Sequence, residues 1–185
     1  MISGSEKGIV EVKELIGGVW TNDGYLTASD GAAYDRFGMS LDFADHKLIV
    51  GADQGGIDYV YAGGAYLFEP SGTSWTQTNK FVMPFSDIKD YGIDVAINSN
   101  IACISGADGD YIPCIYYFKK SGGFWVYQQT IYASDYTEYD NIGNKLGING
   151  NFLIAAASDV QNYSSEPGYV GAVYVNYLCI DNTTT

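Results

Sequence analysis

Nearly all the groups in this chain that could do chemistry are carboxylates: 22 Asp and Glu stand against 9 Lys and Arg and one histidine. Asp53 with Asp58, and Asp108 with Asp110, are the pairs best placed to hold a hard cation through oxygen ligands. Calcium is the cation those donors suit, and nothing else in the inventory calls for a cofactor. The plainer reading of any one pair is that loop acids keep the chain soluble and that Ser-Asp pairs make side-chain-to-backbone turns. Paired carboxylates also serve glycoside hydrolysis, but these acids recur at regular intervals, as scaffold features do. His46 falls in a predicted two-residue turn beside Lys47, with no partner to orient it as a base. Serine-nucleophile motifs, glycine-rich phosphate loops and Cys/His zinc spacings are missing from the sequence. The expectation is therefore a protein that is not an enzyme.

Cys103, Cys114 and Cys179 make no disulfide framework. Cys103 and Cys114 are expected to be free, buried thiols. A net charge of −13 would repel phosphates and argues against nucleic acid. No apolar run approaches the roughly 20 residues that span a bilayer, so no membrane insertion is expected. The first residues, MISGSEKGIVEVKE, hold no apolar signal segment, and a signal for secretion would lie outside this chain. Two glycosylation triplets, at Asn162 and at Asn182, fall in a predicted loop and tail and point toward a secreted protein.

The elements that carry these residues follow from composition and repetition. With 23 glycines, 17 tyrosines and no sustained 3.6-residue spacing, the chain reads as all-β, short strands joined by tight turns. Four markers recur in one order with a period near 50. Phe37-Gly38, Tyr91-Gly92 and Ile142-Gly143 form the first, and Val50-Gly51-Ala52, Ser105-Gly106-Ala107 and Ala155-Ala156-Ala157 the second. Trp20, Trp75 and Trp125 form the third, each after a glycine turn; Ser29-Asp30, Ser86-Asp87 and Ser134-Asp135 form the fourth.

Each unit holds four candidate strands, a to d, which is the arithmetic of a β-propeller blade. In the first full unit these are about 39–43, 47–52, 64–69 and 75–82, with a turn at Asp45-His46. Asn149-Gly150 marks a hairpin in the third unit. Strand b is a small apolar run, as expected for a strand buried on both faces between blades. The tryptophan opening strand d reads as packing between blades.

The string LTASDGAAYDRFGMSLDFADHKLIVGADQG, with GGAYLFEPSGTSWTQTNKF after it, resembles an FG-GAP repeat of integrin α-chain-like propellers, closest to the bacterial and protist tandem form. The resemblance spans nearly the whole chain in three registers; the later copies replace FG by Tyr91-Gly92 and Ile142-Gly143. It marks Phe37, Gly38, Trp75, Tyr91, Gly92, Trp125 and Gly143 as repeat-core residues. It implies a propeller outside the cell or at its surface, in adhesion or matrix proteins, and it implies no reaction. The D-x-D-x-D-G calcium loop of integrin-like repeats is absent, so calcium is not carried over from the family.

The predicted organisation is one propeller segment over residues 1–185. Residues 8–29 give strands c and d of a leading blade, with Gly8 at the Gly64 position and Trp20 at the Trp75 position. Residues 30–85 and 86–133 are whole blades, 134–180 supply strands a, b and c of a trailing blade, and 181–185 are a tail. Propellers close with four to eight blades, so this ring is incomplete without more chain or partner copies. Thirteen of the 22 acids fall in the d-to-a and b-to-c connections, which emerge on one face. The first functional expectation is a structural or adhesive module that assembles, as a ring or filament, with copies of itself or with the rest of a longer chain. The second is a ligand-binding propeller, lectin-like or integrin-like, that takes a glycan or an extracellular protein through tyrosine-rich loops.

Overall fold

The computed structural model describes residues 7–53, 63–84, 88–134, 141–161 and 169–178. Thirteen antiparallel strands form four separate sheets, and no helix occurs among the described residues. The leading sheet is the pair β1 (Val10–Ile16) and β2 (Val19–Leu26). The next is four-stranded, in chain order: β3 (Ser40–Ala44), β4 (Lys47–Ala52), β5 (Gly64–Ser71) and β6 (Ser74–Phe81). A second four-stranded sheet follows with β7 (Val95–Ile97), β8 (Ile101–Ala107), β9 (Pro113–Ser121) and β10 (Phe124–Ile131). The trailing sheet has three: β11 (Ile142–Asn149), β12 (Phe152–Gln161) and β13 (Tyr169–Tyr177). These are blades of a partial β-propeller.

The turns are set by local chemistry. Ala44 pairs with Lys47, leaving Asp45 and His46 as a two-residue loop with φ of 52° and 58°. Both central residues are left-handed, as a type I′ hairpin requires. In the trailing sheet Asn149 pairs with Phe152, so the loop is Gly150-Asn151, one residue beyond the expected Asn149-Gly150. Gly150 supplies the positive φ of 57°.

Strand register shows that the leading pair is a true c–d pair. Leu15 faces Trp20, Pro70 faces Trp75 and Lys120 faces Trp125, and in all three the register shifts once, at matching places, on the way to Leu26, Phe81 and Ile131. The extra residue is a β-bulge, repeated from blade to blade. Gly8 bridges Phe37 as Gly63 bridges Tyr91, so Gly8 matches Gly63 and not Gly64. Likewise Gly38 N–H donates to Gly51 O and Gly92 N–H to Ser105 O. The true counterpart of Val50-Gly51-Ala52 is therefore Ile104-Ser105-Gly106, one residue before the triplet that composition suggests.

Three apolar clusters fill the three gaps between sheets. Leu26, Phe37, Leu48, Val50, Tyr66 and Phe68 fill the first. Ile49, Leu67, Phe81, Tyr91, Tyr116 and Phe118 fill the second. Ile101, Cys103, Ile115, Tyr117, Ile142 and Leu153 fill the third. Strands β4 and β8 serve two gaps at once, which is why, Lys47 and Ser105 apart, they are apolar and buried along nearly their whole length. Polar ties at the inner strands add register: Asp42 accepts from Ile97 N–H at 2.8 Å, and Asp94 accepts from Leu146 N–H at 2.7 Å.

The aromatic or aliphatic residue of each Phe-Gly-type pair plugs the gap toward the preceding blade. Phe37 packs edge-on against Tyr66 and Phe68, and Tyr91 against Tyr116. Tyr91 is 3% exposed, and among the described residues nothing hydrogen-bonds its hydroxyl. Burial pushes that phenol well above its ordinary value. Removing an unsatisfied buried hydroxyl while keeping the ring should stabilise the fold. Tyr91→Phe is expected to gain about 1 kcal/mol, read as a higher urea midpoint; a lower midpoint would show that the hydroxyl has a partner.

Candidate functional site

Two regions combine exposure with unusual chemistry: the acidic connections on one face, and the outer sides of the terminal sheets.

On the acidic face the structure engages the acids one by one. Buried Asp53 takes a bifurcated contact from Arg36 Nη1, at 3.1 Å and 3.4 Å. Asp108 Oδ1 accepts the backbone N–H groups of Asp110 and Ile112, both at 3.0 Å, and Oδ2 accepts the Tyr132 hydroxyl at 3.0 Å. Asp108 therefore builds its own turn. Asp30 pairs with Lys80 at 2.7 Å, and that hydrogen bond holds its carboxyl below the usual range. Among the described residues no group of three or more His, Cys, Asp or Glu comes together to hold a metal. Asp58 lies outside the described residues, as do Asn162, Asn182, Cys179 and the Ser86-Asp87 marker.

Asp90 differs from its neighbours. It sits just before Tyr91 with φ of 49°, as Arg36 sits before Phe37 with φ of 50°. Burial, then the nearby Asp53 charge, raises its pKa, against the lowering pull of Arg36 and Lys89. A raised carboxyl favours folding while protonated, and that advantage is lost as pH rises through the raised value. Asn keeps the shape and tolerates the left-handed backbone. Asp90→Asn is thus expected to raise the melting temperature at neutral pH, by an amount worth about 1 kcal/mol or less after solvent screening. The gain should vanish below the ordinary carboxylate range, where Asp90 is protonated anyway. A variant no more stable than the parent at neutral pH would refute the account.

Between the second four-stranded blade and the trailing sheet lies a cavity of about 240 Å³. Asp90, Tyr111, Asn141 and Asn144 line it together with the backbone around Ser105 and Gly143. Lys89 Nζ stands 5.5 Å from the centre of the Tyr111 ring. Cys103 and Cys114 are free and buried on opposite faces of β8 and β9, one in each gap. Burial pushes both thiols up, Cys114 to about 12, so neither is a nucleophile at neutral pH.

The terminal sheets are where the sequence reading missed most. Strand alternation puts Phe152, Ile154, Val173, Val175 and Tyr177 on the outer face of the trailing sheet. Ile154 is 46%, Val173 67% and Val175 64% exposed, whereas their counterparts Ile49, Ala65 and Leu67, and Cys103, Ile115 and Tyr117, are all at most 4%. The trailing sheet therefore keeps interblade residues on a face with nothing against it among the described residues. The leading sheet does not. On its outer face Glu11 replaces Tyr66 and Tyr116, and Lys13 replaces Phe68 and Phe118. Glu11 pairs with Lys13 at 3.2 Å and accepts from Asn22 at 2.8 Å. Trp20 keeps its position in the repeat but is 67% exposed, while Trp75 and Trp125 are half-buried against the preceding blade. The signal was present in strand c, where polar residues replace the aromatic pair, but reading it needs the strand register.

No curated protein matches this chain. Residues 20–68 match the family described as FG-GAP repeat. That stretch begins at Trp20 in β2 and ends at Phe68 in β5, so one repeat runs d-a-b-c and joins two blades. The glycine of its Phe-Gly pair stands at the joint, with φ of 94°. The segment from Trp20 to Phe68 is an FG-GAP repeat, and the strands on either side of it repeat the same blade register.

Proposed function

We propose that this chain is a non-catalytic structural or adhesive propeller module of the cell surface or exterior, which works by assembling with copies of itself or with the rest of a longer chain. The observation that carries it is the outer face of the trailing sheet, where residues of interior type lie open to solvent. Soluble chains rarely tolerate a contiguous apolar patch of that kind unless something covers it. Among the described residues no fourth strand lies beside β13, and its open edge adds a second unfinished surface. Surface location is supported by the family, whose repeats are typical of extracellular and surface proteins. Light scattering of the purified chain with electron microscopy tests the reading: particles of several chains are expected, and one-chain mass at every concentration would refute assembly between copies.

A second reading, ligand binding, is favoured by the cavity between the last two sheets, where Tyr111 offers a ring and Asp90, Asn141 and Asn144 offer polar groups. Glycan-array binding by protein of one-chain mass, lost in Tyr111→Ala, would favour it over assembly.

A further inference from the structure

We propose that two copies of this chain pair tail to tail, about a two-fold axis, through the outer faces of their trailing sheets. The proposal rests on the assembly reading above and names its partner as a second copy, bounded at two.

The trailing face is self-complementary in chemistry. Phe152, Ile154, Val173, Val175 and Tyr177 form one apolar surface, with the Phe152 and Tyr177 rings 5.3 Å apart at its end. Together they expose roughly 500 Å² of side chain, so a pair would bury about 1,000 Å², the lower bound for a specific interface. Lys145, the charged residue of β11 nearest this surface, has its Nζ drawn to Asp94 at 3.3 Å. Among the described side chains of the trailing sheet, the one charge is thus partnered within its own chain.

The obvious alternative, head-to-tail stacking, fits less well. Inside the chain, the first two such faces receive tyrosine and phenylalanine from strand c of the next blade, Tyr66 and Phe68, then Tyr116 and Phe118, and at the third Tyr174 and the uncharged Asn176 hold those positions. The leading sheet of a second copy would instead bring Glu11, Lys13 and Asn22 against Ile154, Val173 and Val175. Those residues offer no hydrogen-bonding side chain, so an ion pair would lose water and gain nothing in return. The Glu11–Lys13 pair thus acts as a stop at the head, much as charges guard exposed sheets elsewhere. An interface in which each copy presents the same patch closes on itself and ends growth at two.

Sedimentation equilibrium over a wide concentration range tests this with the whole chain. The wild type is expected at two-chain mass, and Val175→Glu at one-chain mass with an unchanged far-ultraviolet spectrum. Val173→Lys, at a second solvent-exposed position, should do the same. Trp20→Ala, at the head, should leave the pair intact. Two-chain mass that survives both tail variants overturns the tail-to-tail pairing, as do larger or paired species that Trp20→Ala dissolves; in either case assembly itself still stands. One-chain mass for the wild type throughout overturns both the pairing and any assembly between copies.

Discussion

Replacing Gly92 by alanine is expected to destabilise the protein by about 3 kcal/mol or more, the sum of backbone strain and an immovable clash. Gly92 has φ of 101°, a conformation that side chains resist. A Cβ there would stand 2.5 Å from the Gly64 carbonyl oxygen and 2.9 Å from Ala52 N, both backbone atoms of the preceding blade. The residue is also pinned on its other side, since its N–H donates to Ser105 O at 2.8 Å and its carbonyl accepts from Ser40 Oγ at 2.9 Å. Neither blade can retreat without breaking the tie to the other. A domain's total stability is typically only 5–15 kcal/mol, so the loss would be conspicuous in urea denaturation. Gly72→Ala is the control, because Gly72 has φ of 66° but open space around it. It should cost only the backbone strain, about 1 kcal/mol. Equal losses at the two sites would mean that the Phe-Gly joint is not a close blade-to-blade contact.

The second large effect is expected at Phe81. It is 2% exposed, and its ring meets Phe118 at 5.2 Å and Trp125 at 5.4 Å, both edge-on, so it bridges two blades at the end of strand d. Truncation to alanine should cost about 3–5 kcal/mol, since surrounding rings fixed in two sheets cannot collapse into the void. Ile131 holds the same place in the next blade at 9% exposure, facing a trailing sheet with no fourth strand among the described residues. Ile131→Ala should therefore cost less, about 2 kcal/mol. Denaturation midpoints of the two variants check the order; a greater loss at Ile131 would contradict the placement of the best-packed gap.

The blade architecture was legible because it is written in repetition and in turn chemistry. A four-strand unit, the Asp45-His46 turn and the apolar strand b each follow from residue types that permit little else. Register was harder to read. Ser105 and Ala107 look like Val50 and Ala52 in a string of small residues, but the hydrogen bonds of Gly38 and Gly92 show that Ser105 holds the place of Gly51. A slip of one residue exchanges the two faces of a strand, so composition alone could not say which gap Ile104 fills. The acids of the described connections were legible as charge but not as partners. Arg36 reaches Asp53 across 17 residues because a left-handed backbone at Arg36 turns the chain there, and no local pattern announces that. The polar head and apolar tail were invisible for the same reason: Glu11 and Lys13 look ordinary until register places them where Tyr66 and Phe68 stand.

On the pairing proposed above, a partner covers the trailing sheet, while charge closes the leading sheet to one. Hydrogen exchange of the amides in β1, β2, β12 and β13, followed as the protein is concentrated, tests it most directly. Protection is expected to grow with concentration in β12 and β13, with β1 and β2 unchanged. Protection growing in β1 and β2 instead, or at neither end, would contradict it.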